Sequence, residues 1–279
     1  MPGTERVRPS CSGRAPVAAL AVVALLASAC QPGRLRPRLP EATPSAERCL
    51  AALAARRAAV QSIRGFAQIA YEAGEDGVGA RHATLVRGPD HFRLEVLTPL
   101  GALAVIASDG RELVVYARRE AKIYRGPATA ASVGAYAGVP IGVADVTSVL
   151  LGMPPERRPI GAVSVRRDEA VGAFEVAMPV AEGRAIVWLE PGTLAPIASE
   201  TPLEGGVKLR VAFGGYRAIG SVRFPHAIDL QAEPGDRVVR VRYASPSINT
   251  EIGDNLFSFP PRPGLEELEI DRYAAGGGR

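Results

Sequence analysis

The chain has 279 residues, of which 47% are hydrophobic and 22% are charged. This length suits one large domain or two medium ones, and the composition excludes a chain that is disordered throughout. The formal net charge is only +4, and the basic residues are scattered along strand-like segments instead of clustering with aromatic residues. A nucleic-acid-binding protein therefore has little support.

The first thirty residues have the pattern of a lipoprotein export signal. Three arginines precede an apolar run over residues 15–27, which is too short to span a bilayer and suits a signal peptide. Small residues then lead to Cys30, an arrangement that resembles the lipobox of bacterial lipoproteins, in which the cysteine is acylated and becomes the new N-terminus. The alternative is ordinary secretory cleavage after Ala29 with Cys30 unmodified. Gln31 after the cysteine resembles the outer-membrane address of Gram-negative lipoproteins.

The sequence predicts a tether and one folded domain after this signal. Residues 1–29 are the signal peptide, and residues 30–44 hold the lipidated cysteine and a stiff Pro/Arg-rich tether. Residues 45–273 form the domain, and residues 274–279 form a disordered tail. Within the domain, Thr43-Pro44 predicts the start of an amphipathic helix that Gly65 ends.

Strands separated by short turns follow that helix, which indicates an antiparallel meander. We expect strands at 65–73, 79–88, 91–97, 102–108, 111–117 and 121–125, and again at 160–167, 172–179, 184–190, 194–201, 206–213, 222–231 and 236–244. The interruption at 128–153 predicts two short helices, over 128–137 and 143–151, which suit a lid for a sheet that curls. We therefore expect a mainly β fold.

The turn at 98–101 carries an apolar residue where loops are normally polar. Thr98-Pro99-Leu100-Gly101 ends an alternating strand, and its proline and glycine favour chain reversal. Leu100 therefore either folds back onto its own sheet or protrudes to touch a membrane or an acyl chain. The residues of this turn alone do not separate the two.

The motifs of enzymes and metal sites are missing from the sequence. The three histidines have no second ligand at metal spacing, and there is no CxxC, HExxH, GxSxG or P-loop. We expect no metal, no cofactor and no enzymatic activity, although a site assembled from distant residues would not be visible here. Cys49 is expected to be a small buried residue, since no histidine lies near it in sequence.

Several segments together resemble the LolA/LolB lipoprotein carriers and the related outer-membrane lipoprotein-sorting proteins. Phe92-Arg93-Leu94 followed by residues 98–101 is similar to the LolB strand and its Pro-Leu-Gly hairpin. The resemblance to LolB extends to the Gly/Pro turns of the helical segment, in residues 138–141 and 150–154. It extends also to a late strand and bend, in residues 211–216 and 224–225. Residues 256–264 look more like the C-terminal tail of LolA, with an extra residue before the glycine.

This resemblance covers roughly residues 46–270 and implies both a fold and a function. The fold would be a half-open antiparallel β-barrel under a helical lid, enclosing an apolar cavity that takes acyl chains. Pro99, Leu100 and Gly101 would form a loop whose leucine protrudes and inserts into a membrane or among acyl chains. Arg87 would correspond to a LolA arginine that holds the lid closed.

The resemblance also implies partners: acyl chains of lipoproteins or another lipid, a periplasmic LolA-like carrier, and the outer membrane reached through the lipid anchor. We expect a monomer that receives lipoproteins and helps to insert them. The alternative is an envelope lipoprotein that binds another lipid or hydrophobic ligand, or one whose interior is filled by its own side chains. Candidate cavity-lining residues, which otherwise simply pack against the helices, are Leu94, Val96, Leu103, Val105, Leu113 and Val115.

Overall fold

The computed structural model describes residues 42–74, 76–99, 101–235, 237–261 and 263–271, which belong to one compact unit. The described residues form three α-helices, α1 (Ala46–Ala59), α2 (Ala130–Ala137) and α3 (Val143–Leu150). The strands are β1 (Ser62–Ala73), β2 (Asp76–Arg87), β3 (His91–Thr98), β4 (Gly101–Asp109), β5 (Glu112–Ala117), β6 (Lys122–Pro127), β7 (Ser164–Asp168), β8 (Ala173–Val180), β9 (Gly183–Leu189), β10 (Pro196–Pro202), β11 (Lys208–Ile219), β12 (Val222–Glu233), β13 (Arg237–Tyr243), β14 (Ser247–Ile248) and β15 (Glu266–Glu269).

These strands form a single large sheet built from two antiparallel meanders. Its order is β15-β6-β5-β4-β3-β2-β1-β13-β12-β11-β10-β9-β8-β7, and β14 adds a short pair to β1. The two meanders join where β1 pairs with β13, in register from Ala67↔Tyr243 to Ala73↔Arg237. Only β15 pairs in parallel, with β6, among the described strands. The expected mainly β, antiparallel architecture is confirmed.

The sheet curls around α2 and α3. Strands β6 and β12 lie far apart in the sheet order, yet both contribute to one apolar cluster with the two helices. Tyr124, Val133, Leu150 and Ile228, one from each of these elements, are members of this inner cluster. The outermost strands, β15 and β7, are not paired with each other in the described part of the chain. The fold is therefore a half-open barrel.

Because the hairpins alternate in direction, the curled sheet has two distinct ends. We call the end where β1 begins and β2 finishes the closed end, since Ser62 pairs there with Arg87. The opposite end, where Ala73 pairs with Asp76 and with Arg237, is the open end. The β3–β4 hairpin, in which Thr98 pairs with Gly101, also turns at the open end.

Two further apolar clusters complete the core. In the second cluster, α1 packs against β8 and β9, with Cys49 fully buried beside Phe174 and Val187. The outer cluster lies on the outer face of β4, β5 and β6, where Phe259 of the C-terminal segment covers Tyr116 and stacks on its ring at 5.3 Å. Both faces of β4–β6 are therefore buried.

The first helix begins and ends at different residues from those predicted. Ser45 caps it, because its Oγ accepts a hydrogen bond from the backbone N–H of Arg48 at 3.2 Å. The helix finishes at Ala59, and Gly65 lies inside β1 instead of ending the helix. An ideal Cβ on Gly65 would lie 3.1 Å from Pro246 Cα, so this glycine allows a close approach of two backbones.

Candidate functional site

The inner face of β1, β2, β3 and β13 is buried at the closed end and partly exposed towards the open end. The buried side chains at the closed end include Ile63, Val86 and Phe92, and Val241 and Tyr243 are buried in the middle of the sheet. From the middle of this face to the open end, apolar side chains are only partly covered, first Leu94, Val96 and Ile69 and then Tyr71, Val78 and Val239. Val78 is the extreme case, since it is 68% exposed. We call these six residues the open-end strip.

The lengths of the elements explain this gradient. Helices α2 and α3 have eight residues each and so span about 12 Å, at about 1.5 Å per residue. Strands β1 and β2 have twelve residues each and span about 40 Å, at about 3.3 Å per residue. The helices cannot cover the whole inner face, and the end that they leave uncovered is apolar. Contiguous exposed apolar surface of this kind is typical of ligand sites.

Four of the six predicted cavity-lining residues lie on the inner face of the sheet. Leu113 and Val115 are fully buried in the inner cluster, where they fill space instead of lining an empty cavity. Leu94 is partly buried against the same cluster, and Val96 shares its strand and face at the open end. Leu103 is half-buried and lies where the β3–β4 register shifts.

Val105 requires a correction, because it belongs to the opposite face of the sheet. It is buried in the outer cluster with Phe259. The register explains this position: Leu94 pairs with Ile106, so Ile106 faces inwards and Val105 faces outwards. The β-bulge between Val96 and Leu97 sets this alternation, and the sequence carries no clear signal for it.

The β3–β4 hairpin turns at the same end as the open-end strip. Pro99 and Gly101 are exposed, and Gly101 has a φ of +101°, which favours glycine. The Thr98 hydroxyl donates a hydrogen bond to the Gly101 carbonyl at 2.7 Å and closes the turn. Leu100 lies outside the described residues, as do Cys30, the signal peptide, most of the predicted tether and the tail at 274–279.

Arg87 contacts the C-terminal segment, and this corrects its predicted role as a lid contact. Its Nη1 donates to the Ile252 carbonyl at 2.8 Å, and its Nη2 lies 2.6 Å from the Asp254 carboxylate. Its guanidinium also lies over the ring of Phe257, at 5.0 Å. The prediction failed because it rested on a single residue aligned by its distance from a Gly-Pro pair.

Two other arginines contact the helices. Arg237, at the start of β13, donates from Nη1 to the carbonyl of Gly138 at the C-terminal end of α2. Arg57, on α1, donates to Ser148 Oγ at 3.1 Å and to the Pro154 carbonyl at 3.0 Å, next to α3. No local sequence pattern marks either contact, because each joins segments about ninety or more residues apart.

Titratable groups around the inner face are shifted by burial. Desolvation lowers the pKa of Arg57, while Glu156 and Asp145 partly oppose that shift. Burial also lowers the pKa of His82, in the middle of β2, and so favours its neutral form at pH 7. Burial raises the pKa of Tyr243, whose hydroxyl donates to the Leu150 carbonyl at 2.8 Å.

The partly exposed part of the inner face is lined mainly by apolar side chains. Within the described ranges, no group of three or more His, Cys, Asp or Glu residues is placed to hold a metal ion. No helix in the described part of the chain is long and apolar enough to cross a membrane. Two open depressions lie elsewhere, one of about 650 Å³ along residues 249–254 and one of about 360 Å³ along residues 202–208.

The sequence matches no model of a protein family and no curated protein. Among solved structures, the chain is similar to a putative outer-membrane lipoprotein-sorting protein domain from Vibrio parahaemolyticus, with 12% identity and a TM-score of 0.55, covering 76% of this chain and 97% of that one. It is also similar to a DUF1329 family protein from Desulfovibrio piger, with 12% identity and a TM-score of 0.53, covering 77% and 98% of the two chains.

A LolA superfamily protein from Nitrosomonas europaea aligns with 14% identity and a TM-score of 0.49, covering 77% of this chain and 98% of that one. At these identities the likeness establishes the fold alone. The protein is thus a mainly β, half-open barrel with a helical insertion. Its fold is similar to that of the lipoprotein-sorting protein domain from Vibrio parahaemolyticus, so the resemblance drawn from the sequence motifs is confirmed at the level of the fold.

Proposed function

We propose that this protein is a lipid-binding lipoprotein of the Gram-negative envelope that holds acyl chains of lipoproteins on its open-end strip. The observation that carries the proposal is the gradient of burial along the inner face of β1, β2 and β13, which leaves apolar side chains partly uncovered towards the open end. Exposing a methylene to water costs about 0.8 kcal/mol, so an acyl chain gains by moving directly from one apolar surface to another. Binding of this kind needs no nucleotide, metal or covalent step.

The finer role that we propose is receipt of lipoproteins from a periplasmic LolA-like carrier and their insertion into the outer membrane. Acylation of Cys30 would anchor the protein at that membrane, with residues 30–44 as the tether and residues 45–273 as the binding domain. The turn formed by Pro99, Leu100 and Gly101 supports this role by its place, since the β3–β4 hairpin turns at the same end as the open-end strip. Leu100 would then reach the bilayer while the strip holds the cargo.

Binding is tested with the mature chain carrying Cys30→Ser, which is released unlipidated into the periplasm. Native mass spectrometry would be recorded after purification and again after addition of a synthetic triacylated lipopeptide. We expect a one-to-one complex with the lipopeptide. A different lipid at stoichiometric amounts would redirect the proposal to another hydrophobic cargo, and a mass that never changes would contradict lipid binding.

The binding surface is tested by a matched pair of variants on β13. Val239→Asp places a carboxylate within the open-end strip, whereas Val238→Asp places it on the outer face one residue away. Uncompensated burial of a polar group costs about 1–3 kcal/mol, so we expect Val239→Asp to weaken lipopeptide binding about 10- to 100-fold. Equal effects of the two variants would place the binding surface elsewhere.

The insertion role is tested separately with Leu100→Glu. We expect this variant to bind the lipopeptide normally but to lose its transfer to liposomes, because a charged side chain does not enter the bilayer. Normal transfer by Leu100→Glu would remove the role assigned to this leucine while leaving acyl binding intact.

A further inference from the structure

Two polar side chains in the middle of β2 lie among the apolar residues of the inner face. His82 pairs with Val96 on β3, and Thr84 pairs with Leu94. Val96 and Leu94 belong to the open-end strip. Residues directly opposite each other on neighbouring strands point to the same face of a sheet. His82 and Thr84 therefore face the surface that we assign to the lipid.

The hydroxyl of Thr84 has no hydrogen-bond partner within the described ranges, although the residue is fully buried. Burial of a hydroxyl group without a partner is unfavourable, and such groups are rare in folded proteins. Leu94, opposite Thr84, is only partly buried. Because the Cβ atoms of directly opposite residues are about 5 Å apart, a ligand that contacts Leu94 also reaches Thr84 and can supply the missing partner.

His82 adds a hydrogen-bond acceptor next to this hydroxyl. Its Nδ1 lies 2.9 Å from the carbonyl oxygen of Ala80. Since a carbonyl only accepts hydrogen bonds, Nδ1 carries the proton, and Nε2 is the acceptor of the neutral ring. Burial lowers the pKa of His82 and so favours that neutral ring at pH 7. His82 and Thr84 are two positions apart on one strand, which places their Cα atoms about 7 Å apart.

The position of this pair along β2 determines which part of a ligand reaches it. His82 lies six positions after Asp76, the first residue of β2 at the open end, and this corresponds to about 20 Å at about 3.3 Å per residue. From Val78, in the open-end strip, the distance is about 13 Å. Two layers of acyl chains fill a hydrocarbon core of about 30 Å, so one chain spans about 15 Å. A chain with its headgroup at the open end therefore brings its far end to His82.

We propose that His82 and Thr84 form a subsite for a hydroxyl group at the far end of the bound chain. The ligand hydroxyl donates to Nε2 of His82, and its oxygen accepts a hydrogen bond from the hydroxyl of Thr84. Such a site discriminates against a ligand that lacks the hydroxyl, because the polar atoms of the site then stay unpaired. The inference rests on the proposed function for the open-end strip as the binding surface, and it adds the class of lipid that this surface selects.

The subsite is tested with three fatty acids of one chain length, each competing with a fluorescent fatty acid for the mature Cys30→Ser protein. The hydroxyl of ω-hydroxyhexadecanoic acid is at the far end, that of β-hydroxyhexadecanoic acid is close to the carboxylate, and hexadecanoic acid has none. We expect the ω-hydroxy acid to bind about 10-fold more tightly than hexadecanoic acid, which corresponds to about 1.4 kcal/mol. The β-hydroxy acid is expected to show no such gain, because its hydroxyl stays at the open end.

Two substitutions remove the polar groups of the subsite. Thr84→Val replaces the hydroxyl by a methyl group, and His82→Phe replaces the imidazole by an apolar ring. Each is expected to reduce the preference for the ω-hydroxy acid to about three-fold or less, as befits the loss of one hydrogen bond, while the affinity for hexadecanoic acid is kept. Thr84→Val is also expected to keep or raise the Tm, because it removes a buried hydroxyl that has no partner.

Ser199→Ala is the matched control. Ser199 is also buried, and its Oγ also has no partner in the described part of the chain. It lies on β10, however, with four strands between it and β2 in the sheet order. This variant is expected to keep the 10-fold preference for the ω-hydroxy acid.

Three results would overturn the subsite: equal affinities for the ω-hydroxy acid and hexadecanoic acid, an equal gain for the β-hydroxy acid, or a preference that survives both substitutions on β2. Loss of the preference in Ser199→Ala would overturn it as well. Failure of the proposed function would look different. In that case neither the fatty acids nor the triacylated lipopeptide binds and both proposals fall, whereas failure of the subsite alone leaves lipopeptide binding intact.

Discussion

Phe259→Ala tests whether the C-terminal segment is an integral part of the core. Phe259 is 3% exposed, stacks on Tyr116 at 5.3 Å and lies under the guanidinium of Arg93 at 5.5 Å. Burial of the side chain contributes about 1.5–3 kcal/mol, the ring pair about 0.5–1.5 kcal/mol and the cation–π contact about 0.5–1 kcal/mol. The expected loss in the free energy of unfolding is therefore about 3–5 kcal/mol, the range usual for Phe→Ala in a core.

Urea unfolding followed by far-UV circular dichroism measures this loss directly. For a domain of this size, a loss of about 1 kcal/mol in the free energy of unfolding lowers the Tm by about 2–4 °C. In thermal unfolding we therefore expect the Tm to fall by about 6–20 °C. The matched control is Leu256→Ala, because Leu256 lies on the same segment but is 37% exposed, and its loss should stay below about 1 kcal/mol. A loss below about 1 kcal/mol for Phe259→Ala would refute the view that this segment seals the outer face.

Two further predictions concern buried polar and thiol groups. Tyr243→Phe should lower the free energy of unfolding by about 1–2 kcal/mol in the same assay, since it leaves the Leu150 carbonyl without its donor. The control is Tyr71→Phe, because Tyr71 is half-buried at the open end. A loss for Tyr243→Phe no larger than that of the control would contradict this prediction. In the mature Cys30→Ser chain, Cys49 is fully buried and burial raises its pKa. A thiol reagent should therefore label it at least about 100-fold more slowly than in urea, and labelling at the unfolded rate would contradict its place in the core.

Local patterns predicted the elements well where each element carries its own signal. The alternation of Phe92, Leu94 and Val96 against charged residues identified β3, and turn residues such as Asp109-Gly110 identified the hairpin that follows β4. Both helices of the insertion were also expected within two residues of their observed bounds. These predictions depend on interactions among residues close in sequence, which a single sequence records directly.

Predictions failed where the outcome depends on a distant partner. Gly65 has the sequence signal of a helix end, but its role comes from Pro246, which crosses it in space. Arg87 was assigned to the lid because of its neighbours in sequence, whereas Ile252 and Asp254 of the C-terminal segment bind it. Neither partner lies in the same local pattern, so residue type and spacing could not identify them.

The run Leu113-Val114-Val115-Tyr116 indicates a strand that is buried on both faces. An uninterrupted apolar run in a short strand is typical of burial on both faces. The structure buries Leu113 and Val115 under the inner cluster, and Val114 and Tyr116 under the outer one. Burial of both faces of this strand indicates that its neighbour β4 also has a buried outer face, and Val105 lies on that face.

The open-end strip was missed for a different reason. Ile63 and Ile69 both occupy inward positions of β1, and Val241 and Val239 both occupy inward positions of β13. Their patterns in sequence are the same, yet the first of each pair is sealed and the second is partly exposed. What separates them is distance from two helices that are too short to span the sheet. A binding surface of this kind arises from the difference in length between two packed elements, and it becomes visible only when both are placed together.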